Sequence, residues 1–247
     1  MRLLSPALPR LVVLASALAV SPVTRAQTPQ AQTPETSVRP GANQQYKETE
    51  LAAWIKRFES GGREIFDNRH AIVEKSGIRS GMQVADVGAG TGLFSLLFAE
   101  AVGPTGRVYA VDIIPKFLAH TAARAKKAGF RNLETRLGSE RSVELPANSV
   151  DVVFLCDAYH HFEYPRSMNA SMWKALRPGG TLVLIDFVRI PGKTPAGTLA
   201  HVRAGEDVFT SELLAAGFEK VENVPLLTEN YFVLFRKPAA KDAPIKR

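Results

Sequence analysis

The chain has 247 residues, 45% of them hydrophobic and 22% charged, the make-up of an ordinary globular protein rather than of a disordered or many-span membrane chain. Its formal charge is +7, but Arg2, Arg10 and Arg25 lie in the first 26 residues, and no basic helix or basic-aromatic interleaving follows, so no nucleic-acid partner is expected. The single cysteine, Cys156, excludes an intrachain disulfide and a cysteine-built zinc site, and its place in the apolar run DVVFLC reads as a small core residue.

The first 26 residues combine a positive start, an apolar stretch from Leu11 to Val20 and Thr24-Arg25-Ala26 before Gln27. This is the pattern of a secretory signal cleaved after Ala26, with an apolar stretch too short to span a bilayer. A periplasmic or secreted protein exported by a Sec-type signal is expected, with no stable membrane span after cleavage. An uncleaved tether and an organelle presequence are the alternatives. Residues 27–45 are rich in Gln, Thr and Pro and read as a disordered linker.

Helical spacing begins near Tyr46 and runs through ELAAWIKRF, breaks at Gly61-Gly62, and resumes from about Arg63 to Ser76. Residues 46–78 therefore read as a helical lid, carrying Trp54, Phe58, Arg63, Phe66 and His70, with the two glycines as a hinge. Strand and helix patterns then alternate. QVADV, RVYAVDI, NLETRL, VDVVFLC and TLVLIDFV read as buried strands. TGLFSLLFAEAV, PKFLAHTAARAKKAG, RSMNASMWKALRPGG and EDVFTSELLAAGF read as helices. KVENVPLL and ENYFVLFRK close the pattern as two strands joined too tightly for a crossover, hence antiparallel. The fold expected is α/β, a Rossmann-like seven-stranded, mostly parallel sheet with one antiparallel strand and helices on both faces. The domain should span 79–238, followed by a flexible tail at 239–247.

The loop after the first strand, Asp86-Val87-Gly88-Ala89-Gly90-Thr91-Gly92, places glycines where a sheet offers backbone N–H groups to a ligand. Its spacing is G-x-G-x-G, not the G-x-G-x-x-G of dinucleotide sites, and Asp86 suits a cationic group better than a pyrophosphate. Asp112, at the end of the second strand, suits ribose hydroxyls. A nicotinamide oxidoreductase shares this first unit but is disfavoured on both counts.

These segments resemble the class I S-adenosylmethionine-dependent methyltransferases, most of all the small-molecule branch that includes the ubiquinone and menaquinone biosynthesis methyltransferases. The resemblance runs from about Ile72 to Lys237 and also takes in Asp157-Ala158-Tyr159-His160-His161-Phe162 and Leu176-Arg177-Pro178-Gly179-Gly180. Where many relatives have Gly-Asp-Ala beside the adenine, this chain has Gly138-Ser139-Glu140. The resemblance implies S-adenosyl-L-methionine as cofactor, held by Asp86, Gly88, Ala89, Gly90, Gly92, Asp112, Ile113, Ser139, Glu140 and Asp157.

The expected reaction is in-line methyl transfer to a small, partly apolar acceptor, with a binding or regulatory protein that has lost the reaction as the alternative. Orientation supplies much of the rate in such a displacement, and a base beside the acceptor helps. The candidates are His160, His161 and Tyr159; the two histidines, being adjacent, are expected to point different ways. AHVRAGEDVFTSEL, with His201 and Arg203, is a second place for acceptor recognition. No metal site is expected, since Asp157, His160 and His201 lack a ligand-like spacing. The oligomeric state is left open.

Overall fold

The computed structural model describes residues 34–239. The leader, the first part of the linker and nearly all of the tail lie outside the described residues. In chain order the elements are α1 (Gln44–Glu48), α2 (Leu51–Phe58), α3 (Glu64–Asp67), α4 (Arg69–Lys75), β1 (Gln83–Val87), α5 (Leu93–Val102), β2 (Arg107–Asp112), α6 (Pro115–Ala128), β3 (Leu133–Leu137) and β4 (Val150–Cys156). A single 3-10 turn, Tyr159–His161, follows. Then come α7 (Pro165–Ala175), β5 (Leu176–Phe187), α8 (Ala196–His201), α9 (Glu206–Ala215), β6 (Glu219–Asn223) and β7 (Asn230–Arg236).

The seven strands form one sheet in the order β3-β2-β1-β4-β5-β7-β6. All neighbours run parallel except β7, which is antiparallel to both β5 and β6. The expected fold class is the observed one.

Period-two alternation divides the core into two layers. Ala85, Val87, Val153, Leu155, Leu182, Leu184, Val233 and Phe235 point to the face covered by α7 and α9. Val84, Val108, Val152, Phe154, Val183, Ile185 and Phe232 point to the face covered by α4 and α5. The chain runs outward from β1 to β3, then returns to β4 on the other side of β1. That reversal opens a crevice at the C-terminal ends of the strands, the usual ligand position in such sheets.

Two expectations about elements are corrected. The helix expected to run up to Pro178 and its two following glycines stops earlier, at Ala175, and Leu176 already pairs with Val150 of β4. Proline has no N–H to continue a helix, and Gly179 adopts a positive φ of 81°. Residues 35–45, read as part of a disordered linker, are instead strapped onto the domain by polar contacts. Glu35 accepts from the Arg166 and Ser167 backbone N–H groups at the start of α7. The Val38 N–H donates to the Glu163 carbonyl, and the Gly41 N–H and Ser37 hydroxyl donate to the buried Glu163 carboxylate. The strap lacks the apolar content that composition reads as order; its anchors, the buried Glu163 and the start of α7, lie more than a hundred residues away.

Candidate active site

The glycine loop turns tightly from β1 into α5. Gly88 has φ 75° and Gly92 φ 81°, and both are packed: a Cβ on Gly88 would lie 2.5 Å from the Ala158 Cβ, and one on Gly92 2.5 Å from Thr121 Oγ1. Only glycine combines that backbone with that clearance. The Gly88 and Ala89 N–H groups donate to the Val111 carbonyl at 2.8 and 3.0 Å, which seats the loop on the end of β2.

Two buried carboxylates flank this loop. Asp86 accepts from the Ser95 hydroxyl at 2.5 Å. Asp112 accepts from the Gly90 and Ile114 N–H groups, each at 2.8 Å, and still has lone pairs for hydroxyl donors. Burial pushes the Asp86 carboxyl up to about 7, with Ser95 opposing and Asp112 adding to the rise. Burial likewise lifts Asp112 to about 6 against its two backbone donors. Among the described residues no Lys or Arg pairs with either carboxylate, and both face one cavity.

Of the residues expected to hold a cofactor, Asp86, Gly88, Ala89, Gly90, Asp112, Ile113, Ser139, Glu140 and Asp157 line that cavity; Gly92 does not, and serves as the left-handed start of α5. The lid supplies Phe58 and Arg63, the strap Asn43, and α1 Tyr46. The lid is docked by Trp54 and Phe58 against Ile114 and Phe117, and by a two-pronged Arg124–Glu59 pair at 2.5 and 3.0 Å.

Asp157 sits in the left-handed region, φ 51°, and joins the lid to the sheet. It accepts from Arg63 at 2.5 Å and from the Asn230 amide at 2.6 Å. Burial raises its pKa and Arg63 opposes that rise. Burial also pushes the Cys156 thiol well up, so it is a poor nucleophile.

A second, smaller cavity adjoins the first and shares Tyr46, Phe58, Arg63 and Asp157 with it. Its other walls are Arg57, His160, Phe187, Gly197, Thr198 and His201. The two adjacent histidines serve different cavities, although their rings stay close. The 3-10 turn brings their ring centroids to 4.1 Å, with His161 lining the first cavity and His160 the second.

His160 Nδ1 lies 2.7 Å from Asp186 Oδ1, both groups fully buried. With its proton on Nδ1, His160 leaves Nε2 as a bare acceptor, 3.2 Å from His201 Nε2. His161 Nε2 meets the Tyr46 hydroxyl at 2.8 Å. Burial, then His160 and His201, hold His161 down to about 2; burial, then His160 and two arginines, hold His201 down to about 4.

Tyr159 is not in either cavity. It is fully buried between Phe162 and Phe209, and its hydroxyl accepts from the Asn169 amide at 2.7 Å. Its role is packing, because the 3-10 turn aims it at the α7–α9 layer. Arg203 likewise pairs with Glu212 beside Phe209 and lines neither cavity. Sequence reasoning missed Asp186, Tyr46 and Asn43. A carboxylate at the end of the apolar run TLVLID was a signal of the same kind as Asp86 and Asp112.

Residues 85–184 match the family model described as a methyltransferase domain. The chain is also 32% identical over 135 residues to the ubiquinone/menaquinone biosynthesis C-methyltransferase UbiE of Pseudomonas putida KT2440, covering 54% of this chain and 52% of that one. It thus spans about half the length of the curated relatives it matches. The methyltransferase fold recurs in a crystal structure of an S-adenosylmethionine-dependent methyltransferase from Aquifex aeolicus, with TM-score 0.68 and 24% identity over 77% of this chain and all of that one. It recurs too in the [4+2]-cyclase SpnF, with TM-score 0.63 and 17% identity over 73% and 85% of the two chains.

The cofactor implied by the match to that family model is S-adenosylmethionine, and the lining of the first cavity fits it. Asp112 offers oxygens to ribose hydroxyls, and Asp86 offers negative charge to the amino-acid end. The apolar Ile113, Val143 and Phe162 line the same cavity, where Ser139 and Glu140 supply polar edges for a base. Among the described residues, no helix is long and apolar enough to cross a membrane.

Proposed function

We propose that the protein is an S-adenosylmethionine-dependent methyltransferase that acts on a small, partly apolar acceptor bound in the second cavity. The observation that carries this reading is the pair of buried, cation-lacking carboxylates, Asp86 and Asp112, facing one cavity beside the glycine loop. A ligand with a positive end and a ribose relieves both; a dinucleotide would set its pyrophosphate against Asp86.

The bound cofactor supplies an electrophilic methyl on a sulfonium, whose carbon–sulfur electron pair stays on sulfur as the acceptor takes the methyl. The protein's share is to orient and exclude water. Tyr46, Phe58, Arg63 and Asp157 are common to both cavities and form the passage between them. Asp186 fixes the His160 ring so that Nε2 is turned into the acceptor cavity, where it can take the acceptor's proton. His161, on the cofactor side and kept neutral, supports the wall rather than the proton transfer.

The acceptor does not carry over from the named relatives. Asp157 and His160 lie inside the matched segment, but Tyr46, Arg57, Phe58, Arg63, Phe187, Gly197, Thr198 and His201 lie outside it, so most of the acceptor cavity is built by this chain's own α1, lid and α8. Calorimetric titration of the full-length protein with S-adenosylmethionine, its demethylated product and NAD tests the reading. Micromolar binding of the first two and not the third is expected. A folded protein that binds none of them, or NAD alone, overturns it.

A further inference from the structure

Three imidazoles converge beside the acceptor cavity, which His160 and His201 line, while His161 lines the neighbouring first cavity. His160, His161 and His201 each bring one ring nitrogen, and the three nitrogens lie within 4.8 Å of one another. The sequence hides the cluster, because His201 ends α8, some forty residues after the turn that carries the other two. His160 and His161 are buried, and His201 is partly exposed to the cavity.

Hydrogen bonding within the protein satisfies this cluster only in part. Asp186 holds His160 Nδ1 at 2.7 Å and is itself fixed by the His160 and Phe187 N–H groups at 3.2 and 2.8 Å. His161 Nδ1 is buried near the Ala42 carbonyl, yet no partner meets it at hydrogen-bonding geometry. A carboxylate locked onto the far nitrogen of an imidazole, with the near nitrogen aimed into a cluster, is how proteins orient metal-ligating histidines.

The spacing is compatible with an ion. Zinc–nitrogen bonds of about 2.0–2.1 Å at tetrahedral angles put ligand nitrogens roughly 3.4 Å apart. The two Nε2 atoms of His160 and His201 are already at 3.2 Å, and a rotation of the partly exposed His201 ring can adjust the rest. The charges facing the cluster are mixed. Arg39 donates to the His201 carbonyl and Arg57 lies on the cavity wall, but Arg63 is paired with Asp157, and Asp186 stands directly behind His160.

We propose that His160, His161 and His201 form a site for one divalent transition-metal ion of the zinc type, with its fourth position open to the acceptor cavity. Three imidazoles and an open position favour zinc over calcium or magnesium, which prefer oxygen ligands. The ligand class that fits the open position is an acceptor with an ionisable oxygen or sulfur; in the ion-loaded protein His160 Nε2 is a ligand rather than the base, and the ion would lower the acceptor's pKa so that its proton passes to solvent. This catalytic role rests on the methyl-transfer reading; the ion binding does not.

The test uses full-length, chelator-treated protein titrated with Co2+ as a coloured probe, then with Zn2+ in competition. One Co2+ per chain, with intense visible bands of four-coordinate type, displaced by Zn2+, is expected. His201→Ala should weaken binding by about 100-fold or more, and Asp186→Asn by about 10- to 100-fold. His70→Ala, an exposed histidine away from the cluster, should leave it unchanged. His201→Ala is the deciding variant, because a partly exposed position tolerates truncation, and a cooperative melt establishes that it is folded. No stoichiometric uptake by the unaltered protein, or equal uptake by folded His201→Ala, overturns the site. S-adenosylmethionine titrated into the same samples separates the two readings: cofactor binding without ion uptake removes the metal site alone, and ion uptake without cofactor binding removes the methyltransferase reading alone.

Discussion

Replacing Asp86 with Asn should make the unliganded protein more stable and the cofactor site weaker. The side chain is 3% exposed, and burial raises its carboxyl from 3.8 to about 7. At ~1.36 kcal/mol per pH unit, full ionisation of Asp86 costs the folded chain about 4 kcal/mol. The folded-state value is the raised one, so the folded chain keeps a proton that the unfolded chain gives up near pH 4. Stability is therefore lost as pH rises from about 4 to about 7 and is level above that. Asn has the same shape and still accepts from Ser95, but carries no charge. Urea unfolding should show Asp86→Asn ahead of the unaltered protein by about 4 kcal/mol near pH 8, shrinking to roughly 1.5 kcal/mol near pH 5. Comparing the two proteins at each pH cancels every other titrating group except the neighbouring Asp112, whose own rise has the same sign. In the same variant, affinity for S-adenosylmethionine should fall by about tenfold or more, ~1.4 kcal/mol. A variant no more stable near pH 8 than near pH 5, relative to the unaltered protein, would refute the burial argument. A stabilised variant with unchanged cofactor affinity would refute the assignment of Asp86 to the cofactor's cationic end.

Other substitutions separate the parts of the site. Asp112→Ala should cost S-adenosylmethionine about 10- to 100-fold in affinity, roughly the 1.5–3 kcal/mol of charge-assisted hydrogen bonds, while the protein still melts cooperatively; unchanged affinity in calorimetry removes the ribose assignment. Gly88→Ala should destabilise the fold by about 2–4 kcal/mol, from a positive φ and a 2.5 Å approach to Ala158, and a melting curve like that of the unaltered protein would contradict the loop geometry. His160→Ala should lower turnover by about 100-fold with cofactor affinity nearly kept, whereas His161→Ala should act mainly on cofactor affinity; equal and negligible effects on a verified acceptor would remove both roles.

The sheet and the glycine-loop half of the candidate site were legible because their signals are local. A glycine loop between an apolar strand and a helix, with acids at the ends of two strands, needs only neighbours in sequence to be read. The helix boundary at Ala175 was missed because a helix pattern and the strand that follows share apolar residues at Leu176, where pairing with Val150 decides. The strap was missed for a different reason. Its order comes from Glu35 on the start of α7 and from Ser37 and Gly41 on Glu163, contacts set by a fold that its own composition cannot report.

The same local rule, applied once more, reaches the part of the site that the sequence kept back. Asp86 near the end of β1, Asp112 at the end of β2, Asp157 just after β4 and Asp186 near the end of β5 put four buried or nearly buried carboxylates along one edge of the sheet. Only Asp157 has an arginine beside it, Arg63 of the lid. Such a row is costly in a low-dielectric setting unless positive charge is delivered from outside. One cavity on this edge suits a sulfonium and an ammonium group. In the other, Asp186 passes its influence through His160 to a cluster of nitrogen donors. The acidic edge argues against a phosphate in the glycine loop, and the second cavity sets His160 and His201 beside a single lining carboxylate, Asp157, which Arg63 pairs. Under the proposed function, a ligand arriving there would meet the nitrogen lone pairs of His160 and His201, with Asp186 one hydrogen bond behind His160 and the Asp157 carboxylate held by Arg63.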